Sequence, residues 1–222
     1  MKKLLFGVVL AVALAGGFSL LQNTAEAGLF KKSAEGLPVE INKAAKEIIM
    51  PAEVNGKYFT EPTRHGVVFL TGSNGEKAVL RGLSDEKQFH DALLAIGAKP
   101  GNNIKLNDMK AGPNNGKSVE GSKLDVFVKW EGSKGEIPFQ NIIRATVERP
   151  MDIRFGGNLE AAQKANTGCV LCLDSCAVGI TSNAAYPTGT TQHKVSEFYG
   201  RKDILPPDGT RVSVIFRLAK QQ

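Results

Sequence analysis

The chain has 222 residues and a formal net charge of +6, with 42% apolar and 23% charged residues, which suits one packed domain and excludes a collagen-like or wholly disordered polymer. Three cysteines exclude a disulfide-dense scaffold, and a mean hydropathy of −0.14 excludes a bundle of membrane spans. The lysines are spread without a run of five, so the charge reads as solubility, and nucleic acid is not expected as a partner.

At the start of the chain, Lys2 and Lys3 precede an uncharged apolar run over residues 4–21, and a polar segment ends in Ala25-Glu26-Ala27. This is the pattern of a secretory signal peptide cut after Ala27, with small residues where the peptidase accepts them. Residues 1–27 therefore read as signal and residues 28–222 as the mature domain. Losing Lys2, Lys3 and Glu26 lowers the net charge from +6 to +5. The apolar run just reaches spanning length, so a retained anchor is the alternative. Sec-type export to the periplasm or beyond the cell is expected, with no stable membrane span after cleavage.

Residues 37–59 show an interrupted strand pattern with Val39, Ile41, Ile48 and Ile49, and Asn55-Gly56 reads as a tight turn. The apolar runs at 67–70 and 77–83, separated by Ser73-Asn74-Gly75, predict a hairpin. Ser84 stands as an N-cap before Asp85 and Glu86. The stripe Phe89, Ala92, Leu93, Ile96 then predicts an amphipathic helix over 85–96, closed by Gly97. Farther on, Leu124, Val126, Val128 and Trp130 alternate with Lys123, Asp125, Phe127 and Lys129, a half-buried strand. Residues 137–147 continue the sheet or form a short helix, and Val212, Val214, Phe216 and Leu218 mark a closing strand. No internal repeat is visible. The expected fold class is α+β: one β-rich domain with a mixed or antiparallel, sandwich-like sheet and one clear helix near 85–96.

All three cysteines fall within eight residues, as Cys169, Cys172 and Cys176 in a CxxCxxxC spacing. On a helix this spacing gathers the thiols on one arc, and in a loop it wraps around an ion or cluster. An iron-sulfur cluster would find three thiolates here but no fourth. Structural zinc would need a fourth donor, for which His193 is the histidine downstream of the motif. A thiol-disulfide pair would use Cys169 and Cys172, and a covalent haem is disfavoured because Leu173 follows Cys172. Against these stands a structural role, a local disulfide with one buried thiol. His65 and His90 read as structurally satisfied, since nothing in the sequence places them near the cysteines. No nucleophile elbow, P-loop, HExxH or dinucleotide fingerprint is present, so a carrier or binding protein is expected over an enzyme.

The segments FHDALLAIGAKPG (89–101) and GCVLCLDSCAVGITSN (168–183) resemble the YdjY family of bacterial exported proteins, with similarity running from about Pro38 to Leu218. The resemblance implies a ferredoxin-like protein with a four-iron four-sulfur cluster on Cys169, Cys172 and Cys176, passing electrons to a redox partner protein. The sequence departs from a bacterial ferredoxin in having no fourth cysteine and in placing Ala177, not proline, after Cys176. The functional expectation is an exported iron-sulfur or metal-binding protein, with zinc as the alternative metal. The runner-up is a non-catalytic exported binding domain with structural or disulfide-forming cysteines.

Overall fold

In the computed structural model, residues 36–112 and 114–220 are described; the expected signal segment lies outside them. The strands in chain order are β1 (Glu40–Asn42), β2 (Glu47–Val54), β3 (His65–Phe69), β4 (Ala78–Gly82), β5 (Lys123–Lys129), β6 (Ile137–Pro138), β7 (Ile143–Ala145), β8 (Ile153–Phe155), β9 (Cys169–Cys172), β10 (Thr181–Asn183), β11 (Phe198–Gly200) and β12 (Arg211–Leu218). The helices are α1 (Glu86–Ala95) and α2 (Leu159–Lys164).

The neighbours in the main sheet run β2, β12, β5, β8, β10, β9, β3, β4, and β4 pairs β2 again through Ala52↔Gly82, Glu53↔Arg81 and Val54↔Leu80. The sheet thus closes on itself as an eight-stranded barrel. This overturns the α+β, sandwich-like expectation. Alternation along a strand states which face is apolar, and a sandwich and a barrel satisfy that equally. What decides between them is β2, long enough to hold β1 at its start and β4 at its end along one edge while β12 covers the other. Closure leaves the barrel strands no open edge.

Inside the ring lie Ile48, Met50, Ala52 and Val54 of β2, Val126 and Val128 of β5, and Val212, Val214 and Phe216 of β12, all buried in one cluster. Each of these side chains larger than Ala52 contributes about 1.5–3 kcal/mol of transfer free energy. One further expectation is corrected. Runs 67–70 and 77–83 do not form a hairpin, because β3 and β4 lie parallel. The connecting residues 70–77 reach back along β3, and Gly75 lets the chain fold onto Leu70, whose carbonyl oxygen a Cβ there would meet at 2.1 Å. At Asn55-Gly56 the chain enters a tight 3-10 turn, which Asn55 caps, its Oδ1 accepting from the Lys57 N–H at 3.3 Å.

Helix α1 is capped by Asp85, one residue later than expected, its Oδ1 accepting from the N–H groups of Lys87 (2.8 Å) and Gln88 (3.2 Å). Phe89, Ala92 and Leu93 join the main core, and the Phe89 ring meets Phe216 edge-on at 4.7 Å. Asp85→Ala removes the acceptor for both orphan donors, and we expect a loss of about 1 kcal/mol in the unfolding free energy measured by urea titration. An unchanged midpoint would show that the cap carries nothing. Among the described residues no helix is long and apolar enough to cross a membrane.

Candidate metal centre

The three cysteines sit neither on a helix nor wholly in a loop. Cys169 and Cys172 are the ends of β9, and Cys176 follows in the segment leaving it. In a regular strand residues three apart face opposite ways. Here the β3–β9 register shifts on both strands: Val68 pairs Cys169, Val67 pairs Leu171 and His65 pairs Cys172, so Val170 is an extra residue on β9. A bulge of this kind re-aims side chains. Val170 and Leu171 enter the main core, while Cys169, Cys172 and Cys176 form a separate small cluster with Val68 and Ala78, flanked by Met109 and Val178.

The same register brings His65 to the thiols. Its Nδ1 stands 3.7 Å from Cys169 Sγ, and the donor atoms of His65, Cys169 and Cys172 all lie within 4.8 Å of one another. His65 is 8% exposed, and Cys169 and Cys172 are fully buried. Asn74 Nδ2 approaches Cys169 Sγ at 3.7 Å from the β3–β4 connection. All three cysteines are free thiols in this structure.

The segment carrying Cys176 is pinned by polar contacts. Asp174, fully buried, accepts from Arg64 Nη2 at 2.7 Å through one oxygen, and from Thr191 N–H (3.1 Å) and Oγ1 (2.7 Å) through the other. Ser175 Oγ accepts from the Val119 N–H at 2.9 Å, and Asn158 Nδ2 donates to the carbonyls of Cys176 and Gly179. Cys176 is thereby held in one buried cluster with Cys169 and Cys172.

The thiols do not share charge equally. The Cys169 and Cys176 thiols near it, together with burial, push the Cys172 pKa well above the ordinary thiol range. The neighbouring Cys172 thiol pulls the Cys169 pKa down to about 4, against the burial penalty and with help from His65 and Thr167. Cys176 is lowered first by Cys172, against burial, and then by the Arg64 charge. For Arg64 burial opposes the charge, but Asp174 and the neighbouring thiols outweigh it and hold its pKa above the usual guanidinium value.

Of the donors expected from sequence, Cys169, Cys172 and Cys176 converge, whereas His193 does not join them. It lies exposed in the turn after Gly189, its N–H bonded to the Gly189 carbonyl at 2.9 Å. His65 takes that place at the thiols. It lies 104 positions before Cys169, and only the pairing of β3 with β9 reveals it. His90 instead packs edge-on against Phe155 at 5.2 Å and contacts Asp91.

A family model described as the YdjY domain matches residues 39–217. The chain belongs to the YdjY family. The "Uncharacterized protein YdjY" of Escherichia coli (strain K12) is 36% identical over 213 residues, covering 96% of this chain and 92% of that protein. No solved structure matches. The matched YdjY span begins just before β1, ends within β12, and contains His65 and all three cysteines, so barrel and thiol cluster belong to one YdjY domain.

The spacing of the YdjY cluster can be set against the chemistry of each group. A four-iron cube carries each thiolate on a different iron, which holds the sulfurs well apart and calls for a cavity between them. Here the Cys169 and Cys172 sulfurs lie within 4.8 Å of one another, a spacing that suits two ligands of one ion and not two corners of a cube. A single tetrahedral ion about 2.3 Å from sulfur and about 2.05 Å from nitrogen sets a sulfur–nitrogen edge of about 3.5 Å. The 3.7 Å between Cys169 Sγ and His65 Nδ1 is close to that edge.

Proposed function

We propose that the protein is exported and holds one divalent thiophilic ion at His65, Cys169 and Cys172, with zinc best suited to the donors. The observation that carries this reading is the grouping of three buried donor atoms within 4.8 Å. Two thiolates and a neutral imidazole are balanced by a dipositive ion, and a buried site cannot hold much net charge. The nearby Arg64–Asp174 pair is already self-neutral. Burial of the donors gives a substrate little approach, and Cys176, buried in the same cluster, is the candidate for the fourth donor that a closed structural or storage site takes. Export rests on the N-terminal pattern of Lys2, Lys3, the apolar run and Ala25-Glu26-Ala27.

The test is elemental analysis of the full chain recovered anaerobically from the exported fraction. We expect about one zinc per chain and no acid-labile sulfide, falling to near zero in Cys172→Ser with the circular dichroism spectrum retained. Iron with matching sulfide would replace this reading by an electron-carrying cluster. A chain that holds no metal as isolated, and takes up none when zinc is supplied, would return the cysteines to a structural or disulfide role.

A further inference from the structure

Beside the thiols one buried polar side chain lacks a hydrogen-bond partner among the described residues. Ser182 is fully buried, and its Oγ makes no hydrogen bond among the described residues. Such a hydroxyl costs about 1–3 kcal/mol when left unsatisfied. Two separate features of the backbone aim it at Cys172. β10 runs parallel to β9 with Ser182 opposite Cys172, so the two side chains leave the sheet on the same face. Gly179, in the link from Cys176 to β10, lies over both: a Cβ there would stand 2.8 Å from Ser182 Oγ and 2.9 Å from Cys172 Sγ. Only glycine at 179 leaves the hydroxyl and the sulfur facing each other without a side chain between them.

We infer that the Ser182 hydroxyl donates a hydrogen bond to the Cys172 sulfur when that sulfur binds the ion, which makes Ser182 a positioning residue of the centre. The inference rests on the metal reading above. A cysteine sulfur that still carries its proton is a weak acceptor, and the Ser182 hydroxyl is left without a partner. A metal-bound thiolate has lost that proton and gained acceptor capacity, and outer groups that donate to such ligands fix their orientation and tune their electrons. The hydroxyl is thus orphaned in one state and satisfied in the other.

The probe is cobalt(II), added anaerobically to the metal-free full-length protein, with the sulfur-to-cobalt charge-transfer band as readout. Wild type should show the band. Ser182→Ala should bind cobalt about 10–100-fold more weakly. Its band should lie at longer wavelength, because a thiolate without the hydrogen bond gives up its electrons more easily. In the metal-free state the same variant should be at least as stable as wild type to urea, since it loses an unsatisfied group; a purely structural serine would not divide the two states in this way. Wild-type affinity together with an unshifted band in Ser182→Ala overturns the inference while leaving the centre in place. Absence of any thiolate band in wild type overturns the centre, and the inference with it.

Discussion

Replacing Asp174 by asparagine lowers the unfolding free energy by about 3 kcal/mol, measured by urea titration of the metal-free protein. The substitution preserves shape, and the amide oxygen can still accept from Thr191, so the loss isolates the charge. Arg64 would keep its guanidinium beside a neutral group, and removing one partner of a buried pair costs about 3–5 kcal/mol. Asp174 is fully buried, but the Arg64 side chain is 21% exposed, and water there places the expectation at the low end of that range. The double substitution Arg64→Met with Asp174→Leu should recover much of the loss, because no charge is then stranded. Asp174 belongs to the segment from β9 to Cys176, and Leu173 N–H bonds the Arg64 carbonyl at 2.8 Å, so loss of the pair also loosens the hold on the link between Cys172 and Cys176. If Asp174→Asn unfolds at the wild-type midpoint, the segment is held by its backbone bonds alone.

Phe89→Ala is the second large effect, a loss of about 3–5 kcal/mol in the same titration. Phe89 is fully buried on α1 and meets Phe216 of β12 edge-on, so one side chain ties the helix to a strand in the middle of the barrel wall. Truncation removes the transfer free energy of the ring and leaves a cavity whose walls are strands that cannot easily collapse. A double-mutant cycle with Phe216→Ala should show a coupling of about 0.5–1.5 kcal/mol from the ring contact. A total loss under about 1 kcal/mol would mean that α1 is a detachable ornament of the barrel.

Much of the wall was legible in single segments. Period-two alternation at 123–130 and 211–218 located β5 and β12, and the stripe from Phe89 to Ile96 located α1. What alternation does not carry is the partner. Nothing at 78–82 says that it meets the end of β2, and that meeting of three residue pairs separates a barrel from a sandwich. Strands such as β8 and β10, three residues each, are too short for periodicity to register. At the candidate centre the cysteine spacing was visible, but the device that gathers the thiols was not, because a bulge at Val170 is a property of two paired strands. For the same reason His193 attracted attention through nearness along the chain, whereas His65 reaches the thiols through register.

The position of β12 also governs the order in which the molecule can assemble. It lies between β2 and β5, joining Arg211 to Glu53 on one side and Leu218 to Leu124 on the other. The barrel is therefore completed by pairings between distant parts of the chain, whose loop-closure entropy must be met before their contacts reward it. A nascent chain that has reached residue 200 can build β3, β4, β9 and β10 but still holds β2 and β5 apart. Closure of this barrel accordingly cannot precede synthesis of residues 211–218. Until residues 211–218 arrive, two neighbouring strands stand with unpaired backbone groups, and that is the interval in which a chaperone or a protease would meet this chain.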